Sequence, residues 1–372
     1  MKAAILNFCR REPILLISAL AAAVSCFLIP PDREYAGYID FRTLALLYAL
    51  MLVVAGLRSA GVFTHLAHMV CLRAKSVRGM GALLVLLSFF SSMLITNDVA
   101  LLTFVPFAVV LLGMTGRRQD LILVVVLQTV AANLGSMLTP VGNPQNLYLY
   151  SYYRFTAASF FRVTAPVWGL SLALVLTLCL ALPGAKLEAF LGEEPGLDRR
   201  RLRLYLALFG VCLLAVFRLL PWPWMLAAVV LSLLVLDRGM LLRADFMLLL
   251  TFVAFFVFAG NLARLESVDA LLRRLLQGRT YLTALLASQV ISNVPAALLL
   301  SGFTDNSRDM LLGVDVGGLG TPIASLASLI SLKLYSQTRE AHTGKYLLVF
   351  TLLNVLLLAL LSAASALFSH WI

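Results

Sequence analysis

The chain has 372 residues, 61% hydrophobic and 13% charged, with a mean hydropathy of +0.96 and a formal net charge of +11. Soluble domains run near half apolar and a quarter charged, so this composition excludes a soluble enzyme, a disordered protein and a nucleic-acid-binding module. Apolar runs of membrane-spanning length recur throughout and make it an all-α polytopic membrane protein, whereas a β-barrel would show short alternating segments.

Lys2, Arg10 and Arg11 precede an apolar run up to Ile29, the layout of a secretory signal, and Ala23-Val24-Ser25-Cys26 faintly resembles a lipoprotein cleavage site. The runs that follow make this segment one member of a repeated set, so it reads as a signal anchor and first span. Further apolar runs cover residues 43–62, 79–94, 99–114, 118–152, 160–183, 203–220, 223–237, 245–263, 280–291, 296–303, 308–335 and 344–369. A span needs about 20 residues. The pair 280–291 and 296–303, joined by Ser292-Asn293-Val294-Pro295, is therefore expected to enter the bilayer and return as a hairpin. The pair 79–94 and 99–114, joined by Ile95-Thr96-Asn97-Asp98, reads the same way by symmetry and charge, with limbs that tilt or start in the interface.

Two runs carry helix breakers. Run 118–152 contains Gly135, Thr139-Pro140 and Gly142-Asn143-Pro144-Gln145-Asn146, and run 308–335 contains Gly317-Gly318-Leu319-Gly320-Thr321-Pro322. Gly and Pro at that density cannot continue a helix. Unwound backbone at membrane depth survives only where protein or a wet cavity satisfies it, so these are expected to be discontinuous helices.

The two halves resemble each other. Gly135 to Pro140 aligns without gaps on Gly317 to Pro322, and Tyr153 falls on Tyr335. Thr96-Asn97 matches Ser292-Asn293, and Val54-Ala55-Gly56 resembles Phe258-Ala259-Gly260. The expected division is a first repeat over 1–183, a linker over 184–202, a linking span over 203–222 and a second repeat over 223–372. The linker holds the long polar loop with Gly192-Glu193-Glu194-Pro195-Gly196. In a membrane protein, Lys and Arg excess chiefly reports topology. With the N-terminus in the cytoplasm, 17 Lys and Arg lie inside, including Arg73, Arg117, Arg118, Arg243, Arg339 and Lys345, 10 lie outside, and Arg58 and Lys333 are assigned to neither side. This threading gives nine spans, two re-entrant hairpins, a periplasmic C-terminus and repeats of inverted topology. Inverted repeats with discontinuous helices are a secondary-transporter pattern, with substrate near the midplane.

Each break offers unpaired N–H groups, suited to anions, and unpaired carbonyls, suited to Na⁺. The candidate binding residues are Thr96, Asn97, Asp98, Thr139, Gly142, Asn143, Gln145, Asn146, Ser292, Asn293, Gly318, Thr321, Ser325 and Ser328. Their hydroxyls and amides can serve either sign of ligand, while the plainer reading makes Asn97, Asn293, Thr139 and Thr321 helix caps. Geometry brings Asn97 and Asn293 from opposite faces to one depth. Asp98 and Asp315 lie inside apolar runs, where acids are costly and mark function, so both are candidates for cation or proton coupling. Asp315 has Lys333 as an alternative partner. Arg58 and Arg218 read as snorkelling interfacial anchors. Cys9, Cys26, Cys71, Cys179 and Cys212 form no CxxC pair, and His65, His68, His342 and His370 lack a metal-site pattern, so neither disulfide framework nor resident metal nor cofactor is expected.

Asn97-Asp98-Val99-Ala100-Leu101-Leu102, followed by Gly142-Asn143-Pro144-Gln145-Asn146, resembles the ion transporter superfamily, in particular its citrate-transporter-like and arsenite-permease-like branches. The resemblance covers about Thr43 to Leu361. It implies an elevator-type scaffold and transport domain, usually in a homodimer. Where the sodium-coupled carboxylate branch has Ser-Asn-Thr at both tips, this chain has Thr96-Asn97-Asp98 and Ser292-Asn293-Val294, so only the first two positions of each tip carry over. Leu57–Arg78 and Leu262–Gln277 then read as interfacial helices linking scaffold to hairpins. The expected function is secondary transport of a small anion across the inner membrane, coupled to Na⁺ or H⁺. A Na⁺/H⁺ antiporter using Asp98 and Asp315 is the alternative, and a channel or non-transporting scaffold the third reading.

Overall fold

The computed structural model describes residues 13–72, 74–114, 116–186, 196–338 and 341–368. Lys2, Cys9, Arg10, Arg11, Arg73, Gly192 to Pro195, Arg339 and His370 lie outside these residues. Among the described residues the regular structure is helical, apart from one isolated antiparallel bridge between Ser76 and Lys186. Eighteen α-helices follow in order: α1 (Pro13–Leu28), α2 (Tyr35–Tyr38), α3 (Phe41–Ser59), α4 (Val62–Cys71), α5 (Val77–Ile95), α6 (Asn97–Met114), α7 (Leu121–Ser136), α8 (Pro144–Tyr152), α9 (Ala157–Cys179), α10 (Arg199–Val216), α11 (Trp222–Leu236), α12 (Phe246–Ala263), α13 (Glu266–Leu276), α14 (Thr280–Ile291), α15 (Asn293–Leu300), α16 (Ser307–Val316), α17 (Leu326–Ser336) and α18 (Thr343–Phe368).

Seven helical segments are long and apolar enough to cross a membrane, including both limbs of the first hairpin. Those limbs, α5 with 19 residues and α6 with 18, extend about 28 and 27 Å. They are longer than the apolar runs alone suggest, because polar flanks such as the Ser76 cap join the helix. In the second hairpin α14 has 12 residues and α15 has 8, too few to span, about 18 and 12 Å.

The helices start where local chemistry satisfies their free N–H groups. Asp40 caps α3 by accepting from the Thr43 N–H at 3.0 Å, and Asp245 caps α12 by accepting from the Leu248 N–H at 2.9 Å. Asn143 caps α8, with Pro144 at its first position, where a missing N–H costs nothing. The Thr156 and Ser159 side chains close a capping box on α9.

Glycines let the helices approach closely. A Cβ at Gly56 on α3 would lie 2.0 Å from the Tyr205 ring of α10, and one at Gly260 on α12 would lie 2.5 Å from the Tyr38 ring. Helices α3, α10 and α11 pack together, and α12 packs on α1. Helices α5, α6, α7 and α17 form a second cluster, and α14, α15 and α16 a third. The start of α5 is tied to the segment after α9: the Val77 N–H donates to the Ala185 carbonyl at 2.9 Å and Arg78 Nε to the Leu182 carbonyl at 2.8 Å.

Candidate functional site

Both chain reversals that join a hairpin's limbs are single non-glycine residues in a conformation that costs energy. Thr96 has φ 71° and ψ 150°, and Ser292 has φ 73° and ψ 154°. This region is essentially reserved for glycine and is held elsewhere only by surrounding structure. The next residue behaves identically in both hairpins. Asn97 Oδ1 accepts from the Asp98 N–H and Asn293 Oδ1 from the Val294 N–H, each at 3.0 Å. The two asparagines thus begin α6 and α15, and their remaining amide groups face inward, where they are 5% and 4% exposed.

Each tip lies against a helix break. The Asn97 N–H donates to the Gly142 carbonyl at 3.2 Å. Thr139 Oγ1 donates to the Met93 carbonyl, three residues before the first tip. Thr321 Oγ1 donates to the Gln289 carbonyl at 3.1 Å, three residues before the second. Ser292 Oγ donates weakly to the Ala324 carbonyl at 3.4 Å. A Cβ at Gly135 would meet the Phe89 carbonyl oxygen at 2.0 Å, and one at Gly317 would meet the Leu285 Cα at 3.0 Å. Each break therefore begins where a glycine lets the broken helix touch the incoming limb. Gly318 admits the Asn293 amide, which would be 2.9 Å from a Cβ there, and Gly142 admits the Ser136 carbonyl, 2.0 Å from a Cβ.

The unwound carbonyls need donors, because no water reaches buried backbone. Asn146 Nδ2 supplies the first break, donating to the Met137 and Thr139 carbonyls at 3.2 and 3.4 Å. Gln289 supplies the second: its Nε2 donates to the Gly317 and Leu319 carbonyls at 2.7 and 3.0 Å, and its Oε1 accepts from the Thr321 N–H at 2.9 Å.

The two breaks also reach across to each other. Asn133, on the last turn of α7, accepts from Asn97 Nδ2 and from Ser325 Oγ, each at 3.0 Å, and donates to Ser328 Oγ at 3.2 Å. Asp315, on the last turn of α16, accepts at 3.5 Å from Asn143 Nδ2 and from Gln145 Nε2. The offset of 182 that aligns Gly135 with Gly317 also aligns Asn133 with Asp315, Asn143 with Ser325 and Asn146 with Ser328. Each helix end before one break thus bonds to residues after the other.

Asp315 is 3% exposed, and its Oδ2, like Asn146 Oδ1, has no hydrogen-bond partner among the described residues. The alternative pairing of Asp315 with Lys333 is not what the fold makes: Lys333 is exposed on α17, while Asp315 faces the amides of α8. Unpartnered carboxylate and carbonyl oxygens beside amide donors can hold a cation or a proton, and the amides can hold an anion.

A cavity of about 760 Å³ leads from one face of the protein to the first tip and break. Thr96, Asp98, Asn143 and Pro144 lie along it, with Arg58, Arg243 and Asp245 among its other lining residues. Arg58 is therefore a cavity residue, its guanidinium donating to the Leu102 carbonyl at 3.3 Å. Asp98 Oδ1 is buried with no hydrogen-bond partner among the described residues. Arg218 donates to the Tyr150 and Arg154 carbonyls, each at 3.3 Å, and stands over the Tyr150 ring, which secures the end of α8. Among the expected residues, hydrogen bonds join Asn97, Ser325 and Ser328 through Asn133, and Asn143 and Gln145 through Asp315. Of the expected binding residues, Thr96, Asp98 and Asn143 line this cavity, and among the described lining residues none of those expected from the second half appears.

Asn133 and Gln289 were absent from the expected set. Asn133 had a signal, its alignment with Asp315. Gln289 had only its polarity within an apolar limb, and its aligned position in the first hairpin is Met93, which contributes just a carbonyl.

The profile of the citrate transporter family matches residues 4–315. The inner membrane protein YbiR of Escherichia coli is 31% identical over 330 residues, which is 87% of this chain and 88% of that protein. An uncharacterized transporter of Methanocaldococcus jannaschii is 29% identical over 338 residues, 90% of this chain and 92% of the other. The silicon efflux transporter LSI3 of rice is 30% identical over 154 residues, 41% of this chain and 31% of that one. The chain belongs to the citrate transporter family, and it is a multi-pass membrane transporter of the citrate-transporter and arsenite-permease type.

Proposed function

We propose that the protein is a secondary active transporter that moves a small anion across the inner membrane, coupled to Na⁺ or H⁺, by an elevator-type alternating-access mechanism. The observation that carries this reading is the reciprocal wiring of the breaks, with Asn133 bonded to Ser325 and Ser328, and Asp315 to Asn143 and Gln145. Amide and hydroxyl donors from both halves converge where a dehydrated anion needs them, and an unpartnered carboxylate oxygen supplies the counterpart for a coupling cation. The cavity that reaches Thr96, Asp98 and Asn143 supports access to the first tip from one face, as one limb of an alternating-access cycle requires. In the threading favoured by Lys and Arg, that face is cytoplasmic, as is the N-terminus, while the C-terminus is periplasmic. The scaffold is then α3, α10, α11 and α12, the moving part carries both hairpins, and two copies pair through the scaffold.

The test is uptake of candidate carboxylates and oxyanions into proteoliposomes. Asn97→Ala and Asn293→Ala are each expected to abolish uptake while the purified protein remains folded. Normal uptake by either variant would remove the site. A Na⁺/H⁺ antiporter is the second reading, favoured by the buried, unpartnered oxygens of Asp98 and Asp315. Asp98→Asn separates the two: an antiporter loses all exchange, whereas an anion carrier retains uncoupled binding.

A further inference from the structure

A second cavity, of about 610 Å³, lies where four helix ends meet, at the end of α6 away from the first tip. It is bounded by the end of α6, the residues leading into α7, the end of α17 and the start of α18, with Gly113, Arg118, Tyr335, Thr338, His342 and Lys345 among its walls. The titratable side chains in these walls are Arg118, His342, Lys345 and the Tyr335 phenol, and no described lining residue is acidic. The acid nearest Arg118 in sequence, Asp120, is taken by Arg117 at 3.1 Å, and Glu340, two residues before His342, lies outside the described residues. Among the described residues no ion pair joins Arg118 or Lys345 to an acid. Tyr335 is already committed, its Oη accepting from the His342 N–H at 3.1 Å, which fixes the start of α18 against α17.

We propose that this cavity is a binding site for a phosphate group, occupied in the bilayer by the headgroup of an anionic phospholipid. Concave, unneutralised basic pockets between helix ends at the membrane surface suit such headgroups. A lipid also needs a path for its acyl chains, and the walls continue into apolar faces that could supply one. On α6, Val110 and Met114 are 56% and 67% exposed, one turn apart. On α18, Leu348 and Leu352 are 59% and 63% exposed, continuing from Lys345. A free phosphate or soluble phosphate ester would use the basic walls but not these stripes. The site joins the outer ends of both broken helices, since α7 and α17 each run from it towards a break. A headgroup bound here would hold the two helices together as one body.

The test uses the purified full-length chain in a neutral detergent. Thermal unfolding is followed against short-chain phosphatidylglycerol, short-chain phosphatidylcholine and inorganic phosphate, in the natural sequence and in Arg118→Gln/Lys345→Gln. Saturable protection by phosphatidylglycerol, absent with phosphatidylcholine, is expected. Each basic side chain near an anionic headgroup contributes about fivefold, so the double variant should bind about 25-fold more weakly. Arg200→Gln, exposed on α10, should leave binding unchanged. Inorganic phosphate matching phosphatidylglycerol at equal concentration would identify a soluble phosphate as the ligand of the same site. Equal protection by phosphatidylcholine, no protection by any phosphate compound, or full protection retained in the double variant would overturn the proposal. The variant's ligand-free unfolding temperature reports separately whether its fold is intact.

Discussion

Replacing Asn133 with alanine removes three hydrogen bonds at once: those from Asn97 Nδ2 and Ser325 Oγ, and that to Ser328 Oγ. All four residues are buried. A net contribution of about 0.5–1.5 kcal/mol per bond gives a loss of about 1.5–4.5 kcal/mol for the three, and partners stranded without water push towards the upper end. The loss falls on the link between the first hairpin tip and the second broken helix. Asn133→Ala should therefore lower the unfolding temperature of the purified protein and abolish proteoliposome uptake. A double-mutant cycle isolates the link. Asn133→Ala combined with Ser325→Ala should destabilise less than the sum of the single changes, by about 0.5 kcal/mol or more, because both remove the same bond. Strict additivity, or an Asn133→Ala protein that unfolds and transports like the natural one, would refute the wiring as the basis of the site.

Thr96→Gly and Ser292→Gly should each relieve a backbone conformation costing about 1–3 kcal/mol, so the unfolding temperature should rise while uptake slows; a fall in stability would show that the side chains contribute more than the strain. Gly135→Ala and Gly142→Ala each drive a methyl to 2.0 Å from a backbone carbonyl oxygen and should cost about 1–3 kcal/mol, whereas Gly169→Ala, with nothing within 4 Å, should leave thermal unfolding unchanged or slightly improved. Reporter fusions after Arg118 and after Arg308 should read cytoplasm and periplasm respectively, and the same side for both would sink the inverted threading.

The membrane class, the helical content and the two interruptions at Thr139-Pro140 and Thr321-Pro322 follow from the sequence alone. Apolar length and helix breakers act locally, through hydration and backbone geometry, and need no partner to be read. The likeness of Thr96-Asn97 to Ser292-Asn293 is legible for the same reason. The exact extent of the first hairpin's limbs was not, because a cap such as Ser76 extends the helix past the apolar run. Tertiary structure alone decided which polar groups meet. Asn133 bonds to Ser328, 195 residues away, and Asp315 faces Asn143, 172 residues away, rather than the nearer Lys333. Gln289 serves the second break because α14 lies beside it, and Arg58 lines the cavity because α3 stands opposite the first tip. The physical reason is desolvation. Inside the bilayer every unwound carbonyl and every buried amide must find its partner within the protein, and packing of the helices determines which partner is within reach.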